Sequence, residues 1–146
     1  MSVTYKNILV AYDGSEQSQL AFEQAKMLAT LNDSEITVLQ VVPSVNYFLY
    51  LPDTYIYSDL AARQKEMMSY AQDQMNANFV YNDTDKINVI VQEGSPKRTI
   101  VEYAEKKKFD LIVMGATGVH GINKLVVGST TSFVVNQAPC QVLVVK

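Results

Sequence analysis

Short apolar runs alternate along this chain with longer stretches of helical period. The first run is Asn7-Ile8-Leu9-Val10-Ala11-Tyr12. From Ser15 to Leu31 the apolar residues fall at three-and-four spacing, which places Leu20, Ala21, Ala25, Leu28 and Ala29 on one helical face. Asp13 or Ser15 is positioned to cap that helix, and Glu16 suits its first turn. A second apolar run, Glu35 to Val42, precedes a helix expected from Asp59 to about Val80, with Leu60, Met67, Ala71 and Met75 as inward candidates. The third run is Ile87 to Gln92. After it, Gly94-Ser95-Pro96 puts serine at a cap and proline at the first helical position, a strong start signal. That third helix carries Ile100, Val101 and Ala104, and its last turn is basic at Lys106, Lys107 and Lys108, which complement its negative end. Phe109 to Met114 reads as a fourth strand, Ser129 to Gln137 as a fourth helix and Cys140 to Val145 as a fifth strand.

The order is β-α-β-α-β-α-β-α-β. Val- and Ile-rich strands separated by helices imply a parallel sheet covered on both faces. Right-handed crossovers reduce the choice to a few doubly wound α/β topologies. Ligands of such sheets bind beyond the carboxyl ends of the strands, where the strand order reverses. Asp13, Val41 to Pro43, Gly94 and Gly115 to Gly118 all fall at that edge.

That edge carries the most distinctive chemistry of the chain. Gly115, Gly118 and Gly128, followed at once by Ser129, lie between the fourth strand and the fourth helix. Glycines let backbone N–H groups come close to a phosphate, and a helix start adds its positive dipole end. Each glycine alone is compatible with a turn or a packing role; the set with Ser129 points to phosphate. Asp13 is open to two compatible roles, helix cap and ribose contact. His120 is open to phosphate contact or plain exposure. The segment Pro43 to Tyr57 holds four tyrosines and a phenylalanine. It is long for a loop, so three roles stay open: closing over a nucleotide, offering an aromatic contact surface, or covering a sheet edge.

Composition narrows the function classes. A chain of 146 residues, 48% hydrophobic and 18% charged, suits one domain with a real core rather than a disordered chain. The net charge of −3 gives no general attraction for nucleic acid or an anionic membrane. No apolar run reaches membrane-spanning length and the amino terminus lacks a leader pattern, so a cytoplasmic protein is expected. The single cysteine, Cys140, and the single histidine, His120, support neither a metal site nor a histidine-backed nucleophile. Cys140 reads as a small core residue, and Met27, Met67, Met68, Met75 and Met114 read mostly as core filling. No Gly-Lys-Ser or Gly-Lys-Thr triplet occurs, which excludes a Walker loop. Only Gly14 follows the first strand, against a dinucleotide fingerprint or a Ser-Gly-Gly pyrophosphatase loop. A receiver domain would want an Asp after the third strand, where Gly94-Ser95 stands.

The glycine spacing resembles that of the nucleotide-binding members of the universal stress protein family: Gly, two residues, Gly, nine residues, Gly, then Ser or Thr. At average amino-acid frequencies it would arise by chance in about one chain of this length in two hundred. The resemblance extends over the whole chain, through Lys6 to Val10 opening into Asp13, the Glu93 to Pro96 turn and the final Ala138 to Val145. It implies one universal stress protein domain over 1–146, of the adenine nucleotide alpha-hydrolase-like kind, with strand order 3-2-1-4-5. Carried over by position, Asp13 holds the ribose hydroxyls, and Ala11, Tyr12, Val41 and Met114 flank the adenine. Gly115 lets the chain pass near the ribose, while Gly118, Gly128, Ser129, Thr130 and Thr131 bind the phosphates. Many relatives carry Ser or Arg after the first glycine. Here Ala116, Thr117 and Val119 are neutral, leaving His120 and Lys124 as the loop's cations.

The expected function is an ATP-binding (or ADP- or AMP-binding) regulatory, stress-response protein, with or without magnesium, acting through nucleotide-dependent contacts with other proteins or through its bound state, with at most slow hydrolysis. Two alternatives stand beside it: a slow ATPase or self-phosphorylating protein using Ser129, Thr130 or Thr131, and a dimeric interaction module without nucleotide. No catalytic or metal-ligating residue is assigned. The apolar last strand would be an unsafe open edge. Pairing with the same strand of a second copy covers it, and the resemblance also implies a homodimer through Cys140 to Val145.

Overall fold

A computed structural model describes residues 4–44, 54–79, 86–117 and 127–146, the side chains of residues 54–58 excepted. The strands are β1 (Asn7–Ala11), β2 (Glu35–Pro43), β3 (Ile87–Gly94), β4 (Leu111–Gly115) and β5 (Gln141–Val145). The helices are α1 (Glu16–Asn32), α2 (Thr54–Asn78), α3 (Pro96–Lys106) and α4 (Ser129–Gln137). All strand pairs are parallel, as the sequence pattern implies, and the sheet order is β3-β2-β1-β4-β5, as the family resemblance implies.

The two-residue period of the central strands divides the core between two layers. Ile8 and Val10 of β1 face α1 and α2 together with Ile36, Val38, Leu111 and Val113. Leu9 and Ala11 face the opposite layer of α3 and α4 with Leu39, Ile112 and Met114. A sheet buried on both sides has no polar alternation, which is why these strands read as continuous apolar runs.

Ser15 caps α1, its Oγ accepting the N–H of Ser18 at 3.1 Å. Asp13 acts one step earlier, its Oδ1 accepting the N–H of Ser15 at 3.0 Å in an Asx turn. The helix ends where Asp33 turns left-handed, with φ of 55°. At the far end of the sheet, Asp110 precedes β4 rather than lying within it. Its carboxylate accepts the N–H of Lys6 at 2.8 Å and that of Asn7 at 3.3 Å, tying the starts of β1 and β4 together. Ser95 is the cap residue of α3 with Pro96 in its first turn, yet its side chain makes no capping hydrogen bond.

Several helix faces differ from the sequence expectation. On α1 the buried residues are Ser18, Ala21, Phe22 and Ala25, whereas Leu20 is 45% exposed and Leu31 82% exposed. Phe22 takes the place expected of Leu20 because Phe79 waits opposite it, the two rings meeting edge-on at 4.8 Å. Phe79 meets Tyr12 edge-on at 5.0 Å, so three aromatic rings join α1, the end of α2 and the end of β1. Helix α2 begins at Thr54, not Asp59, which removes Thr54 to Tyr57 from the supposed loop. Residues 45–53 of that tyrosine-rich segment lie outside the described residues. Met75 and Ala71 point into the core, while Met67 and Met27 are exposed and do not fill it.

Phe22→Ala should therefore lower unfolding stability by about 3–5 kcal/mol, while Leu31→Lys should stay within about 0.5 kcal/mol of wild type. Urea unfolding followed by circular dichroism reads both. Equal stability of the two variants would contradict the aromatic cluster.

Candidate functional site

A cleft of ≈ 790 Å³ opens at the carboxyl edge of the sheet, within the range usual for small-molecule sites. Parallel topology brings there the ends of β1, β2 and β4, the start of α1 and the start of α4. Ala11, Tyr12, Asp13, Val41, Met114, Gly115, Gly128, Ser129, Thr130 and Thr131 all line it. The remaining expected residue, Gly118, lies outside the described residues, as do His120 and Lys124.

The wall formed by β4 and α4 is held by two hydrogen bonds. The N–H of Gly128 donates to the carbonyl of Ala116 at 2.7 Å, so the end of β4 and the start of α4 are held together. Thr131 is buried, and its Oγ1 donates to the carbonyl of Gly115 at 2.8 Å. The hydroxyl of Thr131 thus serves the wall, while Ser129 and Thr130 stand at the first turn. A Cβ on Gly128 would lie 3.4 Å from the Ala116 oxygen and 3.6 Å from Thr117 Cα, so the start and end of the loop are in contact.

Gly128 caps α4 in extended conformation without a side-chain capping bond, and the first turn carries no acidic residue. The first intrahelical bond shown runs from the N–H of Ser132 to the carbonyl of Gly128, at 2.9 Å. The amides of Ser129, Thr130 and Thr131 precede it and have no intrahelical acceptor. They form the positive end of the helix macrodipole at the edge of the cleft.

A residue not anticipated from the sequence organises the opposite side of this turn. Gln17, in the first turn of α1, accepts two hydrogen bonds on Oε1, from the N–H of Thr117 at 2.8 Å and from its hydroxyl at 2.9 Å. Gly115 makes the approach feasible. A Cβ there would stand 2.9 Å from Gln17 Cβ and 3.2 Å from its backbone carbon. The only advance signal was the glycine itself, ending a β-strand where a side chain would normally stand.

The adenine-flanking candidates are apolar or supply backbone. The N–H of Tyr12 donates to the carbonyl of Leu39 at 2.9 Å, and its ring is held against Phe79. Asp13 is exposed at the cleft. It is the one charged side chain among the described lining residues. Among the described residues no group of three or more His, Cys, Asp or Glu is placed to hold a metal ion. Cys140 packs against the α3 and α4 layer, and burial first, then the charge of Asp110, pushes its thiol up. That suits the core role expected for it. No described helix is long and apolar enough to cross a membrane.

The model of the universal stress protein family matches residues 4–146. The chain belongs to that family. A protein named as a universal stress protein in Staphylococcus aureus (strain USA300) is 32% identical over 145 residues, covering 99% of this chain and 86% of the relative. The universal stress protein UspA from Lactobacillus plantarum superposes with a TM-score of 0.86 at 32% identity, covering 99% of this chain and 100% of that one. A universal stress protein solved in complex with cAMP superposes with a TM-score of 0.63 at 22% identity, covering 99% of this chain and 98% of that one, and shares the fold.

Gly115→Ala should cost about 1–3 kcal/mol, because the added methyl overpacks the contact between α1 and β4. Thermal unfolding of the variant tests this, and wild-type stability would contradict the close approach.

Proposed function

We propose that this member of the universal stress protein family binds ATP, or its di- or monophosphate, in the cleft and acts as a cytoplasmic regulatory protein, one domain over 1–146. The observation that carries the reading is that the start of α4, where Gly128 makes no side-chain capping bond, and Asp13 line the same cleft of nucleotide size. The amides and hydroxyls of Ser129 and Thr130, with the amide of Thr131, receive the phosphates, joined by Gly118, while Gly128, its own amide engaged by Ala116, contributes a close approach of backbone without a side chain. Asp13 accepts the two ribose hydroxyls. Ala11, Tyr12, Val41 and Met114 offer apolar surface and backbone groups to the adenine. The cAMP complex of a protein with this fold is a fact about that protein. It supports the reading in that the architecture accommodates an adenine nucleotide.

Bound ATP would supply a polyphosphate whose occupancy other proteins can read. Magnesium would arrive on the phosphates rather than in a protein cage, since Asp13 is the one carboxylate among the described lining residues. No lysine, arginine or histidine is among them. Fast phosphoryl transfer needs positive charge on the transferring group and a positioned attacking group. Turnover should accordingly stay below about one per second. Self-phosphorylation is a second reading, favoured by the Ser129 and Thr130 hydroxyls at the cleft.

Calorimetric titration of wild type and Ser129→Asp with ATP tests the site. An added carboxylate at a helix start is favourable for the helix yet repels phosphate. The variant should keep wild-type thermal stability and lose at least about tenfold in ATP affinity, as about 1.4 kcal/mol implies. Equal affinity would remove the phosphate assignment. Labelled γ-phosphate on the protein would favour the second reading.

Strand β5 is an edge of the sheet, and Leu143 on it is exposed. An open apolar edge invites pairing. We propose a two-fold dimer through residues 140–145, with other protein partners engaging the dimer. Leu143→Lys should convert it to monomer in sedimentation velocity, and an unchanged sedimentation coefficient would move the interface elsewhere.

A further inference from the structure

One face of α2 lines the cleft. Met67, Tyr70, Ala71, Gln74 and Asn78 all contribute to its wall. Their spacing of three and four residues draws one stripe about 100° wide down the helix. The stripe is about 16 Å long at the helical rise. The neighbouring stripe fixes the helix: Ala71, Met75 and Phe79 are buried, and Phe79 is wedged between Phe22 and Tyr12. The wall therefore belongs to a packed helix whose end touches the last residues of β1.

Its composition differs from the rest of the helix surface. Arg63, Lys65, Glu66 and Asp73 are charged and exposed outside the stripe. Within the stripe stand a thioether, a phenol, two carboxamides and an alanine, with no charge. Tyr70 is 68% exposed and Met67 44% exposed. Two such large, exposed side chains lining a cleft offer apolar surface on which a planar ring can rest, the phenol ring of Tyr70 above all. Gln74 and Asn78 each carry a donor and an acceptor on one carboxamide. A carboxamide pairs two-point with adenine, which offers an amino donor beside a ring acceptor; guanine offers two acceptors on the same edge and calls for arginine or lysine. Neither is among the described lining residues.

We infer that α2 is the base-reading wall of the cleft, Tyr70 stacking on the purine and Gln74 selecting adenine over guanine. This rests on the nucleotide reading above and adds its specificity. The phosphate end holds any nucleoside triphosphate; the α2 stripe makes the site an adenine site.

The test is equilibrium titration of wild type, Tyr70→Ala and Gln74→Leu with ATP, GTP and inorganic tripolyphosphate. Both positions are exposed, and circular dichroism checks that the helix persists. Tyr70→Ala should weaken ATP about tenfold, in line with base–aromatic stacking. Gln74→Leu should shrink the ATP-over-GTP preference about fivefold, the worth of a hydrogen bond. Tripolyphosphate affinity should not move in either variant. ATP affinity and preference unchanged in both variants would overturn the inference and leave the nucleotide reading standing. A parallel loss of tripolyphosphate would do the same, whereas a wild type that binds tripolyphosphate as tightly as ATP would overturn the inference together with the ribose and adenine contacts of the nucleotide reading. A wild type that binds none of the three would remove the nucleotide reading, and this inference with it.

Discussion

The cleft depends on how β4 and α4 are joined at the edge of the sheet. A strand end and a helix start separated by a long loop have no covalent reason to lie together. Here the Gly128 amide meets the Ala116 carbonyl and the Thr131 hydroxyl meets the Gly115 carbonyl. Each bond contributes about 1 kcal/mol net. Leaving either carbonyl buried and unsatisfied would cost more, so the geometry is enforced from both sides. Because the Gly128 amide is engaged by Ala116, the amides of Ser129, Thr130 and Thr131 after it are the ones without an intrahelical acceptor, and those three residues line the cleft.

The same edge shows why small residues are needed there. Gly115 lets α1 approach β4 until Gln17 reaches the turn, and Gln17 then holds the amide and hydroxyl of Thr117 on one oxygen. Helix α1 consequently grips the start of the glycine loop while α4 grips its end. An alanine at 115 would push α1 away and loosen both. Serial dependence of this kind makes single residues at the edge costly to exchange, although none of them carries a charge.

Much of this architecture was legible in the chain, because a doubly covered parallel sheet writes itself as apolar runs of strand length. Serine at 15 and the Ser95-Pro96 pair announced their helices in the same way, through local backbone chemistry. Misreadings arose where tertiary packing decides. Leu20 and Phe22 are both apolar and only two residues apart, and the arrival of Phe79 from a distant helix selects Phe22. The start of α2 at Thr54 was hidden because tyrosines and isoleucine favour strand and loop as readily as helix. Period alone puts Met67 in the core, yet it lies one stripe away, on the cleft. Gln17 carries no local signal of its own, since nothing beside it distinguishes a glutamine that grips a turn from one that faces solvent; only the distant Gly115 hints at a close approach.

Charge sets the character of the site. Its described lining residues hold a single carboxylate, no lysine, arginine or histidine, and the start of a helix, so under the proposed reading the attraction for an anion comes from fixed amide dipoles rather than mobile cations. Fixed dipoles bind without reorganising, yet they offer no extra positive charge to a phosphoryl group as its bond breaks. Under the proposed reading, ground-state binding and slow chemistry then share one origin. A ligand retained without being consumed stabilises the folded form in proportion to the logarithm of its concentration over its dissociation constant. The elements it would tie together are the ends of β1 and β4, the start of α4 and the α2 wall, all of which line the cleft. Occupancy would therefore register as stiffness of the sheet edge, which a partner protein can sense without any bond being cleaved.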